Sequence, residues 1–257
     1  MSPDVVAFSS TRHGGMSTGH YSSFNINRYC GDSDEHISRN RELLCRVLGI
    51  SDDRLLMPHQ THGTRVAHID EAFLSLTTAE RQATLEGTDA VMTDVSGVCI
   101  AVSTADCIPV LLYDACHHAA CAVHAGWRGT LARIAEKAVA AMAEVYGSRP
   151  SGLVAQIGPG ISLDSFEVGQ EVYDAFSAAG FDMACISRLY PSAADAQTEK
   201  WHIDLPGCNR QQLEACGMRH EAIALSGICT YKECDTFFSA RRLGIHSGRI
   251  LTAIMLK

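Results

Sequence analysis

Short apolar runs separated by turn-forming residues dominate the middle of the chain. Four of them, DAVMTD, GVCIAVST, CIPVLLYD and AACAVHAG, lie at 89–94, 97–104, 107–114 and 119–126 and have the length and β-rich composition of strands. Further strands are predicted from the same pattern at the opening VVAFSS, on both sides of a polar turn within 54–70, and in GLVAQI, EAIALSG and RILTAIMLK. The four central runs are therefore expected to be neighbours in one sheet.

Helical periodicity is confined to separate segments. Apolar positions recur at helical spacing in 32–50 and 130–147, and two further helices are predicted within 169–180 and 206–217. The clearest helix is expected to begin after Thr130 as its N-cap and to stop at Gly147, whereas 72–87 resembles a surface excursion. Because strands and helices are mixed without strict alternation, the pattern predicts an α+β fold in which mixed β-sheets pack together and are flanked by helices. No linker interrupts the chain, which favours a single domain over 1–257.

Composition narrows the class of protein. The 257 residues are 46% hydrophobic and 19% charged, with a net charge of −8 and no Lys/Arg-rich run. Nucleic acid and anionic membranes are therefore not expected as partners. No apolar stretch is long enough for a membrane helix, and the start lacks the pattern of a signal peptide.

Eleven cysteines are scattered through apolar segments without any CxxC pair. An odd number of buried-looking thiols in a chain of this length favours a reduced, cytoplasmic protein over a secreted disulfide framework. A structural zinc ribbon has no support, and most of the thiols are expected to be small core residues.

Two motifs carry potential ligands. HQTHG, from His59 to Gly63, places two histidines in a turn, and TADC, from Thr104 to Cys107, places a thiol beside a carboxylate. The carboxylate of Asp106 would raise the pKa of the thiol, so a reactive or ligating Cys107 requires a cation nearby. Taken alone, the first motif is more typical of two loop histidines and the second of a packed core thiol.

A third motif, VHAGWRGT, follows a predicted strand. A strand that ends at His124, a Gly-Trp-Arg-Gly turn and a helix start together suggest an anion site at which Arg128 adds a fixed set of donors. TRHGG with Arg12 and QIGPGIS with Gln156 are similar turns that could converge on the same end of a sheet. An ordinary turn with a solvated Arg128 remains the alternative.

His62, Cys107 and His124 together offer two imidazoles and one thiolate. Three such protein ligands with a fourth position open are the pattern of catalytic zinc. If the runs that start at Cys107 and end at His124 are antiparallel neighbours, both residues lie at the same end of the sheet. The spacing alone does not show that the three side chains meet.

Taken in order, HQTHG, GTDAVMTD, STADCIPVLLYD, AVHAGWRGT and IGPGIS resemble the YfiH family, and the resemblance extends from TRHGG to CTYKECDTFFSARR. This family was formerly labelled as multicopper polyphenol oxidase or laccase domain and is now associated with purine nucleoside phosphorylase and adenosine deaminase activity and with peptidoglycan editing. The resemblance implies a single domain of packed β-sheets flanked by helices. It also implies a zinc-dependent enzyme that acts on purine nucleosides and phosphate, methylthioadenosine included.

The resemblance further implies that His62, Cys107 and His124 are the metal ligands, with His59 the less suitable histidine of its motif. Zinc is the expected metal, and copper can occupy such a site in vitro. The other residues in motifs that line the family's pocket are Arg12, Asn25, Gln60, Asp89, Asp106, Arg128 and Gln156. Asp89 or Asp106 could shuttle a proton during deamination, while Arg128, the helix start after Gly129 and Arg12 could hold phosphate.

Three alternatives remain open. Cys107 and His124 could form the nucleophile and base of a cysteine amidase or hydrolase, which would suit peptidoglycan editing. A copper-dependent polyphenol oxidase is disfavoured, because twelve histidines without a repeated His-X-His pattern provide too few ligands. A non-catalytic metal-binding protein is the third. A monomer or weak oligomer is expected.

Overall fold

A computed structural model describes residues 3–192, 194–195 and 197–257. Met1 and Ser2, part of the amino-terminal segment assessed above for a signal peptide, lie outside the described residues. In chain order the strands are β1 (Val5–Ser9), β2 (Leu55–Leu56), β3 (Val66–Ile69), β4 (Ala90–Thr93), β5 (Cys99–Thr104), β6 (Ile108–Asp114), β7 (Ala119–Ala125), β8 (Leu153–Ile157), β9 (Glu167–Val168), β10 (Ser187–Pro191), β11 (Glu199–Ile203), β12 (Ile223–Leu225) and β13 (Ile250–Leu256).

The α-helices flank these strands. They are α1 (Asp34–Leu48), α2 (Glu71–Leu74), α3 (Thr78–Leu85), α4 (Trp127–Leu131), α5 (Ile134–Tyr146), α6 (Gln170–Ala178), α7 (Met183–Ile186), α8 (Leu205–Ala215) and α9 (Ala240–Leu243). Among the described helices, none has the length and apolar character needed to cross a membrane.

The strands form two large sheets and a small one. The larger sheet has six strands in the order β12-β8-β6-β7-β4-β3, the second has four in the order β1-β13-β5-β2, and the third pairs β10, β11 and β9. Parallel and antiparallel pairs occur in both large sheets. The predicted α+β fold with mixed sheets is therefore confirmed.

Alternation along the strands explains how the layers pack. In β6, Val110 and Leu112 face α5 and α8, whereas Leu111 and Tyr113 face the four-stranded sheet. The outer face of that second sheet packs against Leu44 and neighbouring residues of α1. Two stacked sheets thus lie between helices, and the central strands read as nearly continuous apolar runs because both of their faces are covered.

The helix predicted over 130–147 is two helices in the structure, and its predicted start is wrong. Helix α4 already begins at Trp127 and ends at Leu131, and Arg133 then adopts a left-handed conformation with φ 65° before α5 begins. The Gln212 side chain donates a hydrogen bond to the carbonyl of Thr130 at 2.7 Å, and Asn209 donates to its hydroxyl at 3.1 Å. Contacts from α8 therefore hold Thr130 inside a separate short helix, where it is not the N-cap. Gly147 ends α5 as expected.

The segment over 72–87 contains helices that the pattern analysis did not identify. Helix α3 begins with a capping box, in which Thr77 accepts from the backbone N–H of Glu80 and Glu80 accepts from that of Thr77. The Thr-X-X-Glu signature of this box is visible in the sequence. The hairpin of β10 and β11 was also not predicted.

Candidate metal centre and active site

Two histidines and a cysteine meet at one end of the six-stranded sheet. Cys107 immediately precedes β6, and His124 lies near the end of β7, opposite Pro109 in an antiparallel register. His62 comes from the loop between β2 and β3. One potential ligand atom from each of the three side chains lies within 4.8 Å of the other two, and Cys107 Sγ is 3.8 Å from His62 Nε2. The fold therefore brings together the three residues that the sequence singled out.

Asp89 accepts hydrogen bonds from two of these three residues, His124 and His62. Its Oδ1 atom accepts a hydrogen bond from His124 Nδ1 at 2.7 Å and one from the backbone N–H of His62 at 2.9 Å. Its Oδ2 atom accepts from the N–H groups of Gly63 at 2.7 Å and Thr61 at 3.2 Å. Because His124 Nδ1 donates to this carboxylate, Nε2 is the ring nitrogen left for a metal, which would displace its proton on binding.

The charges of the three side chains are strongly coupled. Burial alone would raise the pKa of Cys107, but the positive charge of His124 and hydrogen bonds from His124 and His62 lower this pKa to about 6. Burial would lower the pKa of His124, but the Cys107 thiolate and Asp89 raise it to about 9. The cluster thus favours a thiolate, which is the form of cysteine that binds metals and acts as a nucleophile.

One residue of the cluster and one residue next to it in sequence have left-handed backbone conformations. His62 has φ 63° and Asp106 has φ 85°, values that cost a residue other than glycine about 1–3 kcal/mol. Asp89 holds the backbone of His62, as described above. The carboxylate of Asp106 accepts from the Thr230 hydroxyl at 2.8 Å and from the Arg241 backbone N–H at 2.7 Å. These hydrogen bonds maintain two conformations that direct His62 and Cys107 towards each other.

The backbone of Gly126 passes directly against the cluster. A Cβ atom at this position would lie 2.8 Å from His62 Cδ2 and 3.1 Å from Cys107 Sγ. Contacts this short require the ligand side chains to move. The glycine of the His-Ala-Gly-Trp motif is therefore needed for the close approach of β7 and the 59–63 loop.

We expect Gly126→Ala to weaken metal binding by about tenfold or more, because it displaces the ligand atoms without removing any of them. Competition with a chromophoric chelator would measure the affinity. Gly152→Ala is the matched control, since a Cβ atom there meets no atom within 4 Å. An unchanged affinity in Gly126→Ala would show that the contacts with His62 and Cys107 do not constrain the centre.

The predicted anion site at the start of a helix is not supported. Helix α4 has only five residues, and Gly129 lies inside it, so the predicted helix start after Gly129 does not exist. Arg128 is exposed, and its guanidinium group lies 4.2 Å from the centre of the Trp127 ring. Arg128 follows Gly126 by two residues, and its side chain is exposed.

The remaining predicted pocket residues fall into different environments. Gln60 exchanges hydrogen bonds with the backbone of Ser103 and so ties the HQTHG loop to the end of β5. Arg12 donates to the carbonyls of Ser22 and Cys234, and Asn25 is fully buried and donates to Asp32. These three side chains are engaged in holding loops together.

Gln156 is separated from the cluster. It lies on β8 opposite Leu111, and Leu111 is four residues further along β6 than Cys107. The exposed side chain of Gln156 lines a groove that contains none of the three potential ligands. His59 also faces elsewhere, because Nδ1 lies 2.8 Å from Glu86 and the ring stacks on Tyr29 at 3.9 Å. His59 is thus not part of the cluster.

Several residues that shape the site were not singled out from the sequence. Ser103, Thr230 and Arg241 each bond to a candidate residue, and two of the three use a backbone atom to do so. A bond from a backbone atom leaves no trace in residue type, so sequence reasoning had no signal for it. Gly126 did carry a signal, because it stands between two candidate residues, His124 and Arg128.

Comparison with known proteins identifies the family. A family model described as multi-copper polyphenol oxidoreductase laccase matches residues 6–257. A purine nucleoside phosphorylase of Bacteroides thetaiotaomicron is 48% identical over 98% of this chain and 92% of its own length. A protein named adenosine deaminase RL5, from an unknown prokaryotic organism, is 43% identical over 98% of this chain and 94% of its own length.

Solved structures agree with this relationship. The crystal structure of the YfiH protein of Bacillus licheniformis superposes with a TM-score of 0.88 at 29% identity and covers 98% of this chain and 93% of that chain. A Neisseria meningitidis protein, NMB0706, superposes with a TM-score of 0.82 at 34% identity and covers 100% of this chain and 96% of that chain. On the motifs, the fold and these matches, the chain belongs to the YfiH family.

Proposed function

We propose that this enzyme is a zinc-dependent purine nucleoside phosphorylase that also deaminates adenosine and cleaves methylthioadenosine with phosphate. The observation that carries the proposal is the convergence of His62, Cys107 and His124 within 4.8 Å of one another. Relatives named as purine nucleoside phosphorylase and adenosine deaminase support the substrate class.

The donor set fits zinc. Two neutral imidazoles and one thiolate are ligands that zinc prefers, and three protein ligands leave one coordination position for water or substrate. The Asp89–His124 hydrogen bond is the carboxylate–histidine contact that commonly accompanies such sites. A bound zinc ion would supply a Lewis acid and lower the pKa of a coordinated water molecule.

The surrounding residues have separable tasks in this proposal. Asp89 is fully buried and accepts four hydrogen bonds, so we assign it the positioning of His124 and of the 61–63 turn in place of proton transfer. Asp106, the residue before Cys107, is held by Thr230 and Arg241 and so positions Cys107. We assign Arg128 the donors to phosphate, since its guanidinium is exposed and it follows Gly126, whose backbone borders the cluster, by two residues.

We expect Arg128→Ala to raise the KM for phosphate by about tenfold or more while kcat changes less, because a guanidinium–phosphate contact contributes mainly to binding. Steady-state kinetics with inosine at saturation would measure both constants. Arg149→Ala, which removes another exposed arginine, is the control. An unchanged KM for phosphate would assign the phosphate contact to another cation.

Metal analysis combined with product analysis tests the function itself. Purified protein is expected to contain about one zinc ion per chain, as one catalytic site requires. With adenosine and phosphate, adenine or hypoxanthine together with ribose 1-phosphate would demonstrate phosphorolysis, and inosine without ribose 1-phosphate would demonstrate deamination alone. No turnover of adenosine, inosine or methylthioadenosine by zinc-loaded protein would contradict the proposal and favour a non-catalytic metal-binding role.

One observation favours a second function. Cys107, His124 and Asp89 follow the order of nucleophile, base and orienting carboxylate that cysteine hydrolases use. A metal-free protein that cleaves a peptide or amide bond, and that loses this activity when Cys107 is alkylated, would establish the hydrolase. Copper oxidase chemistry has less support, because the described residues contain a single cluster of three potential ligands.

We also propose a reduced, cytoplasmic environment. All eleven cysteines lie within the described residues as free thiols. Burial raises the pKa of Cys99 to about 12, and Cys121 is likewise buried with a raised pKa. These thiols are packed core residues and differ from Cys107.

A further inference from the structure

The two large sheets differ in width, and this leaves part of one face uncovered. The four-stranded sheet ends at β1, whereas the six-stranded sheet continues to β8 and β12. Along β8, Leu153, Ala155 and Ile157 are buried on the helical side, but Val154 and Gln156 on the other side are exposed. Val154 keeps 44% of its surface exposed, although its neighbours on β6, Leu111 and Tyr113, are covered.

A groove of about 700 Å³ occupies this step between the sheets. Its walls come from β1, β6, β8, β12 and β13 and are mostly apolar, with Val5, Tyr113 and Ile254 among them. Among the described lining residues, Glu221 is the only one with a full charge at neutral pH. The groove therefore suits an apolar occupant and disfavours a phosphorylated or carboxylate ligand.

The edge of β1 beside this groove has unused backbone groups. The Ser10 N–H donates to Leu251 and the Lys257 N–H donates to Asp4, and these bonds set the register with β13. In an antiparallel ladder bonded residues alternate, so Val5, Ala7 and Ser9 direct their N–H and C=O groups away from β13. Within the described part of the chain, no other strand pairs with this edge.

The dimensions match one additional strand. A five-residue strand fills a cell of about 800 Å³, given a rise of about 3.3 Å per residue, a spacing of about 4.8 Å between strands and about 10 Å between sheets. The groove has about this volume and runs beside a strand of five residues.

A second copy of the chain does not fit there. A twofold axis that pairs β1 with β1 in one continuous sheet places both six-stranded sheets on the same side of that sheet. The uncovered strands β8 and β12 of the two copies would then overlap in the same space. The occupant must therefore be an extended segment without a second sheet beneath it.

We propose that the groove beside β1 binds an extended peptide segment of another protein as a fifth strand of the four-stranded sheet. Apolar side chains at alternate positions of the peptide face Val154 and Tyr113, and a basic side chain shares Glu221 with Arg219, whose guanidinium lies 3.4 Å from it. Backbone bonds to Val5, Ala7 and Ser9 supply affinity, and the apolar groove supplies selectivity. This site is independent of the metal centre and of the proposed function.

Fluorescence anisotropy with labelled peptides tests the proposal on the full chain. The probes are seven-residue peptides that begin with lysine and alternate threonine with valine, isoleucine, leucine or phenylalanine. At least one is expected to bind, and hydrogen exchange of Val5, Ala7 and Ser9 should then slow by about tenfold or more. The same peptide N-methylated at every backbone nitrogen keeps its side chains but loses its backbone N–H hydrogen-bond donors. It should not bind.

Two variants locate the site. Ala7→Pro removes an outward N–H without removing a bond to β13, and Val154→Arg fills the groove. Each variant should bind the peptide about tenfold or more weakly, while metal content and turnover stay unchanged. If Ala7→Pro does not fold, Val154→Arg and the N-methylated peptide still test whether the peptide adds as a strand beside β1. No binding by any probe up to about 1 mM, or equal binding of the N-methylated peptide as an apolar ligand, would overturn strand addition.

Discussion

Replacement of Cys107 by alanine is expected to abolish metal binding and to lower turnover of purine nucleosides by about three orders of magnitude or more. The thiolate is the only anion among the three potential ligands, and the charge of His124 and hydrogen bonds from His124 and His62 lower the pKa of Cys107. Without it, two imidazoles remain, which are too few for a tight zinc site. Metal content by elemental analysis and turnover in the same preparation would measure the effect.

Cys216→Ala is the matched control for this substitution. Cys216 is partly buried at the end of α8, and burial raises the pKa of its thiol, so it should retain metal and activity when replaced. Removal of the metal from the unsubstituted protein with a chelator should reproduce the loss, and added zinc should restore activity there but not in Cys107→Ala. Full activity in metal-free protein would contradict the metal proposal and favour Cys107 as a nucleophile.

The strand pattern explains why most of this site could be predicted. A strand that starts at Cys107 and one that ends at His124 are adjacent in sequence, and short connections favour antiparallel pairing. His62 is different, because it comes from a loop whose position depends on Asp89 and on the contact of Gln60 with Ser103. The HQTHG motif offered His62 as a candidate, and the family resemblance favoured it over His59, but spacing could not show that it meets the other two residues.

The errors at Thr130 and Gln156 have different physical origins. Thr130 looked like an N-cap because serine and threonine favour that position, but side chains from α8 hold it in a separate helix. Gln156 lies in a strand that leads towards the site, yet its side chain points to the face away from α5, into the groove beside β1. Local propensity does not contain the contacts from α8 that decide the position of Thr130, whereas side-chain alternation along β8 decides which face carries Gln156.

Asp89→Asn is expected to lower the free energy of unfolding by roughly 3 kcal/mol and to weaken metal binding by about 10- to 100-fold. An asparagine oxygen can still accept from His124 Nδ1, but the amide nitrogen then faces the N–H groups of Gly63 and Thr61. The Asp89 side chain is fully buried, so an amide nitrogen placed there faces these donors without an acceptor of its own, which is why the penalty is large. Urea unfolding of the metal-free protein and chelator competition would measure the two effects.

The same substitution distinguishes positioning from proton transfer. If Asp89 shuttles a proton, Asp89→Asn should reduce kcat while metal affinity stays unchanged, because asparagine is similar in shape but cannot be protonated at neutral pH. If Asp89 positions His124 and the 61–63 turn, metal affinity falls and saturating zinc restores much of kcat. Asp94→Asn, an exposed carboxylate five residues away, controls for the change in charge. The four hydrogen bonds to Asp89 favour the second result, since a carboxylate with every bond occupied by the protein has no free oxygen for substrate.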